Sequence, residues 1–202
     1  MAFSFADAID DSDMTRGEAL RGINGTCPEE ILRRQELVRV WYYSFDERIH
    51  RGQLVIDELL VDEVLAVFRL ALEKRFPINS VIPVSHSRFL LSGVWDDDLS
   101  MRANNSSGFN YRMIAGTSQL SAHALGRAID INPMQNPFVR NDVIQPPGAQ
   151  YDPRQSGTLT RGCPVVNAFL ELGWFWGADL TSLKDYQHFQ KDPFDESGLK
   201  NE

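Results

Sequence analysis

The sequence predicts an α+β domain, an antiparallel sheet with helices packed to one side. Three observations lead there. Between 61 and 76 the apolar positions Val61, Val64, Leu65, Phe68, Leu72 and Phe76 recur at helical spacing. Stretches at 37–45, 53–56, 79–85 and 109–114 are rich in β-branched and aromatic residues and read as strands between turn signals. The chain has 202 residues, 43% hydrophobic and 24% charged, which provides a sizeable core for one domain. No run approaches the ~20 apolar residues that a membrane span needs.

Residues 1–25 are polar and acidic, carry Gly17, Gly22 and Gly25, and read as an N-terminal arm. That leaves 26–202 as a single domain. No basic stretch followed by an apolar core stands at the start, so no secretory signal is read. Thr26 and Glu29 match a capping box with Pro28 in the first turn, which predicts a short helix running towards Arg34. Residues 51–52 read as a turn ahead of the strand at 53–56, and Pro77 closes the long helix. The segment 85–108 reads as loop. Its acidic triplet Asp96, Asp97 and Asp98 reads as a solvated turn or helix cap, or as a calcium site without the EF-hand spacing. The proline- and glycine-containing 136–162 reads as a long connection, either lining a groove or lying on the surface. A helix follows over 164–172, begun by Pro164 and ended by Gly173, and the last strand falls within 185–190.

A net charge of -8 argues against sequence-independent nucleic-acid binding, which depends on Lys and Arg neutralising phosphates. Cys27 and Cys163 are too few for a cysteine-based zinc site; they are two buried thiols or one long-range disulfide.

The chemistry concentrates in 118–137. His123 and Asp130 would stand roughly 23 Å apart in an extended chain, whereas two ligands of one metal lie within about 3 to 4 Å of each other. The chain must double back, and Gly126 is the residue between them that reaches positive φ without steric cost. After it, 127–132 alternates, with Ala128, Asp130 and Asn132 on one face and Ile129 and Ile131 on the other. A carboxylate on a buried strand is costly without a partner. Of the four histidines, His50 and His86 lie in turn-like contexts with no carboxylate at a useful spacing. His188 lies three residues after Asp185 and follows the apolar segment 174–177, which would exclude water from one side. His123, His188 and Asp130 make a set of two imidazoles and a carboxylate, which suits catalytic zinc with an open fourth position. The bland alternative is a metal-free domain in which both histidines satisfy buried hydrogen bonds.

The pattern Ser121-x-His123-x-x-Gly126-x-Ala128-x-Asp130, with Asp185-x-x-His188 downstream, resembles the zinc D-alanyl-D-alanine carboxypeptidase and L-alanyl-D-glutamate endopeptidase family. These are VanY-like enzymes that share a metal-site fold with the hedgehog signalling domain. The segments 100–112, 128–138 and 173–177 resemble it too, so the likeness extends from about residue 52 to 191. One departure is Ala178-Asp179-Leu180, where many relatives have glycine and then tryptophan; it touches the wall of the site rather than its chemistry.

The resemblance implies that His123, Asp130 and His188 hold Zn²⁺ and that Asp185 is the general base. Residues three apart on a regular strand face opposite sides, so Asp185 must sit at an irregularity to share a site with His188. Arg112 is implied to stabilise an oxyanion or hold a substrate carboxylate, with an ion pair as the rival reading. Ser121 is implied to contact substrate, with a turn hydroxyl as the rival. The implied substrate is a peptidoglycan stem peptide, cut at D-Ala-D-Ala or, alternatively, at L-Ala-D-Glu, which implies action in the cell envelope, periplasmic or extracellular. A third outcome is an inactive hedgehog-like recognition domain; the carboxylate retained at 185 favours the enzyme.

Overall fold

The structure is a computed structural model and describes residues 5, 7–23 and 27–191. Its first elements are a short strand, β1 (Ile9–Asp10), and one helical turn, α1 (Arg16–Ala19). Thr15 and Glu18 close a reciprocal capping box on α1, pairing amide donors that a helix start leaves unsatisfied. The helix expected after Thr26 is α2 (Glu29–Arg33), with Pro28 at its N-cap and no side-chain cap. Thr26 itself lies outside the described residues.

Two nine-residue strands come next, β2 (Gln35–Tyr43) and β3 (Ile49–Asp57), paired antiparallel from Gln35 opposite Asp57 to Tyr43 opposite Ile49. The expected turn at 51–52 is inside β3; the reversal falls at 44–48, where Ser44 N donates to Arg48 O. Gly52 has a different reason to be glycine: a Cβ there would stand 2.2 Å from Val81 O, so its absence lets the sheet press against the neighbouring segment. β1 joins this sheet in parallel, Ile9 opposite His50. His50 does have carboxylate partners, Asp11 at Nδ1 and Asp46 at Nε2, each at 3.1 Å, and Tyr42 donates its hydroxyl to Asp11.

The long helix is α3 (Val61–Glu73), which buries Val64, Val67, Phe68, Ala71 and Leu72. It ends before Phe76 because Lys74 caps it and Arg75 turns to φ 53. Of the strand expected at 79–85, β4 (Ser80–Val81) is regular. The expected loop at 85–108 contains β5 (Leu90–Leu91), β6 (Val94–Trp95), α4 (Asp97–Arg102) and β7 (Asn105–Ser106). Asp96 accepts from Leu99 N at 2.8 Å, so the acidic triplet opens a helix. Two-residue strands have no periodicity to read, which is why this region resembles loop in the sequence.

The second half contributes β8 (Ala128–Asp130), then β9 (Phe138–Arg140) and β10 (Val143–Gln145), a hairpin inside the expected connection. α5 (Pro164–Glu171) starts on its proline, and Gly173 lies just past its end at φ 80. The last strands are β11 (Phe175–Trp176), β12 (Lys184–Asp185) and β13 (His188–Gln190). Two antiparallel sheets result, ordered β10-β9-β12 and β11-β13-β8. The fold is α+β, but its described strands are divided among five small sheets, and the β1–β3 and β4–β7 pairings are parallel. Cys27 and Cys163 are free, half-buried thiols.

The main core fixes the strands that carry Asp130 and His188, whereas His123, expected on the same sheet, lies on a 3-10 turn. Ile129, Ile131 and Phe189 are fully buried and face Phe169, Val165, Val166, Trp174 and Trp176, with Phe169 stacked on Phe189 at 4.2 Å. Burying each such side chain contributes on the order of 1.5–3 kcal/mol. Those anchors set β8 and β13 side by side, with Ile129 opposite Phe189 and Asp130 opposite His188.

Candidate metal centre

The chain reverses between His123 and Asp130 as the spacing demanded. Ser121 caps a 3-10 turn over Ala122–Leu125, and Gly126 ends it at φ 67, in the left-handed region. No side chain fits there: a Cβ would lie 2.0 Å from Gln35 Oε1 and 2.8 Å from Asp57 N. The Gly126 carbonyl accepts from Asp57 N at 2.9 Å, which ties the turn to the end of β3. The reversal brings His123 Nε2 to 3.2 Å from Asp130 Oδ2. Pairing of β8 with β13 brings His188 Nδ1 to 3.0 Å from Asp130 Oδ1, and His123 Nε2 to 3.1 Å from His188 Nδ1. His123, Asp130 and His188 offer ligand atoms that all lie within 4.8 Å of one another.

Each ring's other nitrogen decides what these contacts are. His123 Nδ1 is 2.7 Å from the Gly108 carbonyl, which can only accept, so Nδ1 carries the hydrogen and Nε2 presents a lone pair. Gly108 reaches that position because it has no Cβ, which would meet Val55 O at 2.4 Å. His188 Nε2 stands 3.0 Å from Gln190 Oε1 and donates to it, leaving Nδ1 for the centre. Two imidazole nitrogens and a carboxylate therefore converge on one point, and they repel unless a proton or a cation lies between them. Four-coordinate zinc, about 2.0–2.2 Å from N and O ligands, spaces neighbouring ligands by roughly 3.3 Å. The donor set and its spacing fit zinc.

The charges agree. Burial works to raise the Asp130 carboxyl, but in the metal-free site, where protons can occupy the ring nitrogens facing it, the charge of His123 and hydrogen bonding with both imidazoles hold it well below the usual carboxylate range. Burial works to lower the His188 imidazole, but the hydrogen bond and charge of Asp130, helped by Asp185 and Gln190, push it up to about 9 in the metal-free protein. A proton there takes the place that a cation would fill.

Asp185 and His188 are separated by the irregularity that strand geometry required for them to share a site. Asp185 ends β12, which pairs with β9, whereas His188 begins β13 in the other sheet, so the chain changes sheets at 186–187. Trp176 Nε1 holds this kink by donating to Tyr186 O at 2.9 Å, and Gln187 O accepts from Ile131 N at 3.0 Å. A Cβ on Gly177 would lie 2.8 Å from Asp185 Cβ and 3.2 Å from His188 Cβ, so one glycine packs beneath both residues. The indoles of Trp174 and Trp176, expected to shield the site, are core groups, at 3% exposure each; Trp176 bonds that kink, and Trp174 donates to Glu63 Oε2 at 2.7 Å. Burial pushes the Asp185 carboxyl up to about 6, with His188 and His123 opposing and Asp130 adding to the shift. Its Oδ1 is buried and accepts no hydrogen bond among the described residues.

Ser121 and Arg112 sit on neighbouring segments, Ser121 N donating to Arg112 O at 3.1 Å and Asn110 N to His123 O at 3.0 Å. Both rival readings are realised in the geometry. Ser121 Oγ accepts from His123 N at 3.3 Å as a cap, which leaves its own hydrogen free to donate, and Arg112 Nη2 pairs with Asp97 Oδ2 at 3.0 Å. Sequence reasoning missed Gly108 and Gln190, which choose the histidine tautomers. Gly108 carries no chemical side chain, so nothing could have marked its carbonyl. Gln190, two residues after His188 on a strand, projects to the same face and was open to inference.

Residues 115–191 match the family model described as D-alanyl-D-alanine carboxypeptidase. The resemblance carried by Ser121, His123, Asp130, Asp185 and His188 is to that same family, and all five lie within the matched span. No curated protein and no solved structure matches the chain.

Proposed function

From the match of 115–191 to the D-alanyl-D-alanine carboxypeptidase family, we propose that this protein is a zinc peptidase of peptidoglycan stem peptides that releases the terminal D-Ala from D-Ala-D-Ala. The observation that carries the reading is the pair of histidines with opposite nitrogens engaged by Gly108 and Gln190, so that two lone pairs and the Asp130 carboxylate converge at 3.0–3.2 Å. His123 Nε2, Asp130 and His188 Nδ1 would hold the metal, in a hedgehog-type site. Zinc, when bound, supplies Lewis acidity that polarises a carbonyl and acidifies water.

The chain's own residues do the rest. Asp185 takes a proton from the attacking water as the water oxygen bonds to the carbonyl carbon. It returns that proton to the amine as the C–N bond breaks. Arg112 meets the terminal carboxylate of the substrate or the developing oxyanion, and Ser121 donates its hydroxyl hydrogen to the bound peptide. A cationic group beside the reacting bond favours a substrate with a free carboxylate, hence the carboxypeptidase over the internal L-Ala-D-Glu cut. A wall substrate places the action in the cell envelope; none of the described helices is long and apolar enough to cross a membrane.

The test is a pair of stem peptides, one ending in free D-Ala-D-Ala and the other amidated there. Release of D-Ala from the first alone supports the proposal; equal cleavage of both at L-Ala-D-Glu replaces it with the endopeptidase. Binding of both without cleavage points to a recognition domain of the hedgehog type.

A further inference from the structure

We propose that Asp97 is a positioning residue for Arg112, holding one edge of its guanidinium so that the remaining N–H groups face the substrate. The inference rests on the substrate-binding role proposed for Arg112. Asp97 is the first residue of α4, and both of its carboxylate oxygens are used on the segment beside the metal centre. Oδ2 pairs with Arg112 Nη2 at 3.0 Å, and Oδ1 accepts from Asn110 Nδ2 at 3.0 Å.

Asn110 and Arg112 are two apart on a segment with no regular strand, and the one carboxylate of Asp97 holds both. The same segment is bonded to the metal-site turn through Asn110 N to His123 O and Ser121 N to Arg112 O. Asp97 thereby sets where the guanidinium stands relative to His123. Arg112 Nε is buried and makes no hydrogen bond among the described residues. A half-exposed ion pair contributes little to stability, so the use of this one is orientation: a long, flexible side chain is ordered before substrate arrives. Asp97 does not hold the helix start, because Asp96 supplies that cap. Removing the charge at 97 therefore leaves α4 in place.

The experiment uses the zinc-loaded full chain, the free D-Ala-D-Ala peptide and the variants Asp97→Asn, Asp97→Glu, Arg112→Ala and Asp97→Asn with Arg112→Ala. Asp97→Asn is expected to lower kcat/KM on the order of tenfold, with unchanged zinc content and Tm, and Asp97→Glu to recover part of the loss. In the Arg112→Ala background the same change is expected to shift kcat/KM by less than about twofold. Independently of turnover, the nitrogen-15 signals of the Arg112 Nη2 protons, held by Asp97 Oδ2 in the parent, are expected to exchange and rotate faster in Asp97→Asn. Equal losses in both backgrounds, or unchanged Nη2 signals and kcat/KM in Asp97→Asn, overturn the proposal. An Arg112→Ala variant with parental turnover overturns the underlying role of Arg112 instead, and is told apart because that single variant is silent.

Discussion

Gly126→Ala tests how the fold builds the site. At φ 67 an L-residue carries a left-handed conformation that costs about 1–2 kcal/mol. The new methyl would also stand 2.0 Å from Gln35 Oε1 and 2.8 Å from Asp57 N. Neither neighbour moves cheaply. Gln35 is fully buried and its amide donates to Ile31 O and Leu125 O, and Asp57 N is backbone already bonded to the Gly126 carbonyl. Overpacking of this kind adds about 1–3 kcal/mol. The combined loss is about 2–5 kcal/mol, which for a chain of this length lowers Tm by roughly 5–20 °C. The same turn sets the distance from His123 to Asp130, so zinc affinity falls as well. Circular dichroism melts of the metal-free protein and equilibrium dialysis with zinc measure the two effects. A Gly126→Ala protein with the parental Tm and zinc affinity would refute the reasoning.

Zinc uptake is expected to release protons. The His188 pKa, raised from 6.5 to about 9, means that its proton stabilises the metal-free fold below about pH 6.5, a contribution lost as pH rises through about 9. Zinc must displace that proton, so at pH 7 about one proton is released and affinity rises about tenfold per pH unit towards pH 9. Calorimetry in buffers of different ionisation heats reads the proton directly; identical heats in all of them contradict the assignment. Asp185→Asn is expected to retain zinc and lose on the order of 10² to 10⁴ in turnover, because an amide cannot take the proton. Asp130→Asn is expected to lose zinc itself, and metal analysis beside kinetics separates the two; matching behaviour in both variants would undo the division between ligand and base.

Much of the site was legible because its residues sit in one local pattern. The His123–Gly126–Asp130 spacing forced a reversal, and the alternation after Gly126 predicted which residues of β8 face the core. The requirement for an irregularity between Asp185 and His188 came from strand geometry alone, and the change of sheets at 186–187 meets it. What could not be read depends on contacts distant in sequence. Gly52 resembles a turn residue until Val81 is seen pressed against it. His50 is held by Asp11, which arrives from the N-terminal segment 39 residues away, and by Asp46, four residues earlier, which the β2–β3 reversal folds back onto it. The strands β4 to β7 are two residues each, too short for alternation to appear, and are defined by their partners. Asp97 belonged to an acidic triplet whose members the sequence could not tell apart; the fold gives Asp96 the helix cap and Asp97 the arginine.

The central claim, zinc-dependent release of a terminal D-Ala, is tested most directly by mass analysis of purified stem peptides after incubation with the zinc-loaded protein and with its His123→Ala variant. The account predicts loss of one D-Ala from peptides ending in D-Ala-D-Ala, abolished by chelation, restored by zinc and absent in the variant. Intact peptides, or hydrolysis that persists in the chelated protein and in the variant, would contradict it.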